Sequence, residues 1–419
     1  MFSNFLNRYN KISKKYDKEF DISKNFLFDL ICKKNLFYRS YFSGFLTNLI
    51  LFCLSEISII LCKFKGIKVA NYFIIFKDSN GEIDFRSKYI LDYINLKKTI
   101  NIVRCASFKD SIKAYIKYPN VIFYLSISYF KKPFFDLNNK NYLEQYQIIH
   151  ESELKIYQKF KNIFSFLRIK KFITIDDQRI MQSFLKICKE LNIQSTGYMH
   201  YKFTKYVIGI KLECFDNFFV WTDYFKKKLI NVNKKYKDKK IVITGFLKKD
   251  INKKISRKIN VLYLIDLNIS FKEISKKIVL LSEIKNINLM IKLKPQKGGD
   301  IEWENFAKKK QIKIFYKEHL DEINMKYNID YFICTISTAL LEAPSYSAMP
   351  IKIKTNNDFA DDLVKEKLVL LVKNNKDLLK ELKKKPNKSK IDKLFKKVWG
   401  EKKYNGNFVK REIQKILEI

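Results

Sequence analysis

The run Ile193-Gln194-Ser195-Thr196-Gly197-Tyr198-Met199-His200 brings a histidine to the end of a short apolar stretch, three residues past a glycine. A neutral imidazole at the end of a strand can take a proton from a hydroxyl at neutral pH. The same residue also reads as a surface histidine in a loop. Upstream, Thr174-Ile175-Asp176-Asp177-Gln178-Arg179 delivers carboxylates to a second strand end. Asp176 or Asp177 can orient a substrate hydroxyl or His200, or can cap the helix that starts there by accepting from its free N–H groups.

Three further places suit an anion. Ile333-Cys334-Thr335-Ile336-Ser337-Thr338-Ala339-Leu340-Leu341-Glu342-Ala343 reads as an apolar strand, a short polar turn and a helix start. Free N–H groups at such a start favour negative charge, with Ser337 and Thr338 adding hydroxyl donors and Glu342, a turn further on, offering an acceptor for a ribose hydroxyl. A well-capped helix would look the same. Ile241-Val242-Ile243-Thr244-Gly245-Phe246 ends a strand in Thr244-Gly245, where the missing side chain lets backbone approach a ligand. Met290-Ile291-Lys292-Leu293-Lys294-Pro295-Gln296 brings two lysines to a strand end, and Lys294 before Pro295 can face a diphosphate as a point charge, although Lys is common throughout the chain.

These places need a scaffold that aligns strand ends. Short apolar runs at Lys68–Phe76, Thr99–Val103, Val121–Leu125, Phe172–Ile175 and Ile193–Tyr198 alternate with helical spacing, clearest over Asp177–Leu191. A second series begins near Asn217 and includes Phe218–Trp221, Ile241–Thr244, Asn260–Asp266, Asn288–Lys292, Lys313–Tyr316, Tyr331–Cys334 and Ile351–Lys354, with helices over Phe271–Ile284 and Thr338–Tyr346. Alternation of this kind implies α/β architecture with parallel sheets, whose ligands sit outside the carboxyl ends of the strands. The expected organisation is an N-terminal helical, membrane-proximal segment (1–65), an α/β domain (66–200), a linker (201–216), a second α/β domain (217–376) and C-terminal helices (377–419).

The 419 residues are 47% hydrophobic, with only 10 Gly and 6 Pro, so the chain has the apolar content for two cores and is neither fibrous nor broadly disordered. A net charge of +40 favours anionic partners. The excess is mostly Lys and accompanies abundant Ile, Asn, Phe and Tyr, the composition that A/T-rich codons produce, so it identifies no partner alone. No recognised nucleic-acid motif accompanies it, and no specific nucleic-acid partner is expected. The seven Cys form no Cys-x-x-Cys pair and the three His lie far apart, which implies a reducing compartment and no clustered metal ligands. Phe42–Cys62 is apolar, close to bilayer length and flanked by lysines, but Asn48, Ser55, Glu56 and Ser58 interrupt it. It reads as an interfacial helix, a span or a buried helix, and the expected location is cytoplasmic, peripheral on the anionic inner face of the membrane.

In order and content, Gly197–His200, Phe219-Val220-Trp221-Thr222-Asp223-Tyr224-Phe225-Lys226, Val242–Phe246, Ile291–Pro295 and Ser337–Ala343 resemble the bacterial surface-polysaccharide transferases of GT-B architecture. That group contains capsule-synthesis transferases and the CDP-glycerol glycerophosphotransferases of teichoic acid assembly. The resemblance spans residues 170–355. It implies two Rossmann-like domains facing a cleft, with His200 as a base or acceptor-binding group and with Ser337, Thr338 and Glu342 as donor-phosphate and ribose contacts; from the residues themselves, Asp176 is the expected catalytic partner of His200, and Thr244, Gly245, Lys294 and Pro295 complete the expected donor site. It implies transfer of a sugar, or a polyol phosphate, from a nucleotide-activated donor (CMP-, CDP- or UDP-linked) to a hydroxyl of a lipid-linked or polysaccharide acceptor, with no metal or other cofactor required. Two departures bear on this: Lys294 stands where the family usually has His, and Met199-His200-Tyr201 replaces Gln-His-Gly. They keep open a noncatalytic protein of the same fold that binds a nucleotide sugar or glycan.

Overall fold

In the computed structural model the described residues are 2–13, 27, 45–76, 79–105, 107–124, 142–175, 181–199, 203, 208–212, 214–245, 257–265, 271–293, 301–316, 318–335, 337, 339–355, 360–400 and 406–417. They form two α/β units, each built on one parallel sheet.

The N-terminal unit carries seven strands: β1 (Val69–Ile75), β2 (Ile100–Cys105), β3 (Val121–Phe123), β4 (Lys171–Ile175), β5 (Gln194–Tyr198), β6 (Asn217–Val220) and β7 (Lys240–Ile243). Their spatial order is β3-β2-β1-β4-β5-β6-β7, all parallel. Strands covered on both faces must be apolar throughout, and β1, read as VANYFII, and β2 are almost wholly buried. One face packs on the long helix Tyr142–Leu167 and on Met181–Glu190, where Phe160, Phe164, Phe172 and Phe184 stack into an aromatic core. The helix Gly406–Leu417 also belongs to this unit.

The sequence series that begins at Asn217 is therefore divided differently from the expected domains. The strands at Asn217–Val220 and Lys240–Ile243 extend the first sheet, with Thr196 beside Asn217 and Asn217 beside Lys240. Strand and helix alternation does not reveal which sheet a strand joins. The gap over 201–216 is a connection between two neighbouring strands, and the units part at Thr244 and Gly245.

The C-terminal unit carries β8 (Ile259–Leu264), β9 (Ile287–Lys292), β10 (Lys313–Phe315), β11 (Tyr331–Cys334), β12 (Met349–Ile353) and β13 (Leu370–Val372), in the order β10-β9-β8-β11-β12-β13. All are parallel. Val261, Tyr263, Leu289, Ile291, Tyr331, Ile333 and Ile351 share one face with Ile274, Ile278, Trp303 and Leu378 from the covering helices.

The amino-terminal edges are locked by polar ladders. Asn71 donates to Asn101 Oδ1 (2.9 Å) and Thr99 Oγ1 (3.1 Å) in the first sheet, and Asn288 donates to Asn260 Oδ1 (2.9 Å) in the second. Amides that bond across neighbouring strands have a structural task. In both sheets the chain runs outward from the first strand in one direction and then in the other, so each has a crevice at its carboxyl edge, between β1 and β4 and between β8 and β11.

Candidate site at the carboxyl edge of the C-terminal sheet

Register places one transverse row of side chains at this edge. Leu264 pairs with Lys292, Tyr263 with Ile333, and Cys334 with Lys352, so Lys292, Leu264, Cys334 and Lys352 lie side by side on the four central strands. Because strand side chains alternate, this row faces away from the Tyr263–Ile291–Ile333 cluster. The crevice between β8 and β11 thus has a buried lysine on the next strand outward at each side, the two about 14 Å apart at ~4.8 Å per strand.

The two lysines differ. Lys292 Nζ donates to the carbonyls of Leu293 (2.8 Å) and Tyr316 (3.0 Å), just past the ends of β9 and β10. Burial pushes its pKa down from 10.5 to about 8, with Glu318 pulling the other way. Lys352, almost fully buried, pairs with Asp361 Oδ1 at 2.9 Å and ties the helix Asp361–Lys365 to β12. Both occur in sequence as a lysine between aliphatic neighbours, Ile291-Lys292-Leu293 and Ile351-Lys352-Ile353, and that pattern was the signal available for their burial.

Past β11, Thr335 is buried and Ser337 is half-buried, with Ser337 Oγ accepting from the Ala339 N–H (3.3 Å). The expected helix Thr338–Tyr346 is instead a single α-turn, Ala339–Glu342, continuing as the 3₁₀ turn Ala343–Tyr346 with Pro344 near its start. So few aligned peptides generate little macrodipole. An anion at this turn would rely on the Ser337 hydroxyl and Lys292 rather than on a helix dipole. Glu342 closes the α-turn, half-buried. The turn is braced from the protein side: Trp399 Nε1 donates to the Leu341 carbonyl (2.9 Å), and Tyr346 Oη donates to Asp321 (2.8 Å).

Thr244 follows the outermost strand β7 of the N-terminal unit, its N–H and hydroxyl both donating to the Val220 carbonyl (2.8 and 3.1 Å). Gly245 sits at φ +78°, a conformation that glycine adopts without strain, where the chain passes from one unit to the other. Asp176, Asp177, His200, Lys294, Pro295 and Thr338 lie outside the described residues. In sequence Asp176 comes after Ile175, the last residue of β4, and His200 after Met199, whose N–H donates to the Phe219 carbonyl (3.0 Å). Gly197 has a packing reason: a Cβ there would meet the Phe215 and Phe218 rings at 2.6 and 2.7 Å.

Nucleophilic thiol chemistry finds no support at two of the buried cysteines. Burial pushes Cys62 up to about 11 and Cys105 up to about 12, so both stay thiols at neutral pH. Among the described residues, no three His, Cys, Asp or Glu side chains cluster as metal ligands.

No family model matches the chain, and no curated protein matches it in sequence. Solved structures do match in fold. UGT89C1 of Arabidopsis thaliana aligns over 84% of this chain and 99% of its own, at 10% identity and a TM-score of 0.53. CalG4, the calicheamicin glycosyltransferase, aligns over 84% and 98%, at 7% identity and 0.53. A UDP-GlcNAc 2-epimerase from Methanocaldococcus jannaschii aligns over 83% and 99%, at 13% identity and 0.45. The chain has two Rossmann-like units of the GT-B kind, as its motif order implies.

Proposed function

We propose that the protein is a glycosyltransferase that holds the phosphates of a nucleotide-activated donor at the β8–β11 crevice. The observation that carries this reading is the order reversal between β8 and β11, with Ser337 just past β11 and a buried lysine one strand out on each side. Lys292 has carbonyl acceptors but, among the described residues, no carboxylate within ion-pair reach, so its charge is offered to a phosphate at moderate distance. Two solved glycosyltransferases of the same fold support the class of reaction.

In this reading Ser337 and Thr338 donate to phosphate oxygens, Lys294 extends the cationic edge with Pro295 fixing its turn, and Glu342 accepts from the ribose. The acceptor hydroxyl loses its proton to His200, whose imidazole Asp176 orients. The acceptor oxygen then bonds the sugar's anomeric carbon, and the bond from that carbon to phosphate breaks. The nucleotide leaves with the electron pair, its charge matched by the cationic edge. The donor class follows from the phosphate cradle, and the acceptor is a polysaccharide or lipid-linked hydroxyl, with polyol-phosphate transfer as the neighbouring chemistry.

His200→Ala tests the division of labour. Transfer should fall by about 100-fold or more, the usual worth of a general base, while nucleotide affinity stays unchanged. Undiminished turnover would remove His200 from the chemistry.

A further inference from the structure

The helix Phe45–Phe64 reverses the usual amphipathic order. Its protein-facing side carries Asn48, Leu51, Ser55, Ser58, Ile59 and Cys62, all buried. Its outer side carries Leu46, Leu49, Ile50, Cys53, Ile57, Ile60, Leu61 and Phe64, with Leu46 66% and Phe64 86% exposed. At 100° per residue these eight fall within an arc of about 120°. Soluble proteins rarely leave so long an apolar stripe to water.

The helix is also fixed to the sheet. Ser55 Oγ accepts from the Phe123 N–H of β3 (3.0 Å) and donates to the Leu51 carbonyl (2.8 Å), so the helix covers the edge strand of the N-terminal unit. That attachment makes it part of a folded domain rather than a separate span. Glu56, the acid that interrupts the apolar run, is half-buried beside the stripe. Its charge acts on Lys159 of the helix Tyr142–Leu167, whose pKa burial lowers and Glu56 partly restores.

A basic rim adjoins the stripe where the helix ends. Lys63, Lys65, Lys68, Arg168 and Lys170 are all exposed. Lys63 donates to the Phe166 carbonyl (2.6 Å) and lies 4.6 Å from the half-exposed Phe166 ring, while the Lys170 N–H donates to the Lys68 carbonyl (2.8 Å). The sequence has no Asp or Glu over 57–77 or 154–175. Apolar side chains beside unopposed cations complement an anionic bilayer, which offers acyl chains beneath acidic headgroups.

We propose that this face docks the protein on an anionic lipid bilayer, the helix Phe45–Phe64 lying in the interface with its stripe among the acyl chains and the basic rim against the headgroups. The inference is independent of the donor site, and its test contains no nucleotide. The full chain is floated with phosphatidylcholine vesicles, with or without phosphatidylglycerol. The wild type should float with the anionic vesicles, and Ile57→Glu with Ile60→Glu should bind at least about tenfold more weakly while keeping its circular dichroism melt. Lys63→Glu with Lys65→Glu should lose the preference for phosphatidylglycerol. A direct readout is Phe64→Trp, because the native Trp221, Trp303 and Trp399 are buried. The new indole should be quenched by brominated acyl chains. No quenching, equal flotation of the Ile57/Ile60 variant, or a dimer that this variant dissolves without any vesicle binding would each overturn the proposal.

Discussion

Replacing Lys292 with Met probes the charge that flanks the crevice. The ammonium is buried, and burial takes its pKa from 10.5 to about 8. For a lysine lowered in the folded state, the unfolded chain binds the proton first as pH falls. Below about pH 8 both states are protonated and the cost of burying the charge is fully expressed; between about 8 and 10.5 the unfolded chain holds more protons, so stability rises with pH across that window. At about 1.4 kcal/mol per pKa unit the change is at most roughly 3 kcal/mol, and partial water access trims it toward about 2. Met removes the titration but leaves the Leu293 and Tyr316 carbonyls without their donor, at about 1–3 kcal/mol each. The stability change at neutral pH therefore has no fixed sign, and the diagnostic is the slope. Urea denaturation followed by tryptophan fluorescence from about pH 7 to 10, at constant ionic strength, should show the wild type gaining on the variant by roughly 2 kcal/mol. Parallel curves would mean that the ammonium is solvated, and the electrostatic argument for the crevice would lose one of its two lysines.

Two further substitutions separate packing from binding. Gly197→Ala should destabilise the N-terminal unit by about 1–3 kcal/mol, because the new methyl meets the Phe215 and Phe218 rings; an unchanged melting curve would show that the rings yield freely. Ser337→Ala combined with Thr338→Ala should weaken nucleotide binding by roughly tenfold, the loss of one or two charge-assisted hydrogen bonds, in isothermal calorimetry. Equal affinity would remove the turn from the site.

The parts of this protein legible in its sequence are those written in local pattern. β11 is an unbroken apolar run, β1 and β8 are apolar but for Asn71 and Asn260, and Thr335 and Ser337 follow where β11 ends. What escaped depends on long-range partners. The strands after Asn217 look alike whichever sheet takes them, and only their pairing places Lys240–Ile243 outermost in the first. The short α-turn at Ala339–Glu342 gives way to 3₁₀ geometry before Pro344, and its bracing by Trp399 comes from 58 residues downstream. β13, three residues long within a Lys-rich tail, and the burial of Lys292 and Lys352 depend on register across several strands. The apolar run near Phe45–Phe64 was plain, but which side faces the protein is shown by the burial of one face and the Ser55 bond to β3.

In the proposed function the β8–β11 crevice takes the phosphates of a nucleotide. Thermal denaturation of the full chain with CMP, CDP, UDP, GDP or TDP measures this directly, since a ligand at about 100 times its Kd adds ~2.7 kcal/mol to the folded state. At least one nucleotide should raise the melting temperature by several degrees, and that rise should shrink in the Ser337→Ala/Thr338→Ala variant. A flat response to all five, or a rise that the variant retains in full, would contradict it.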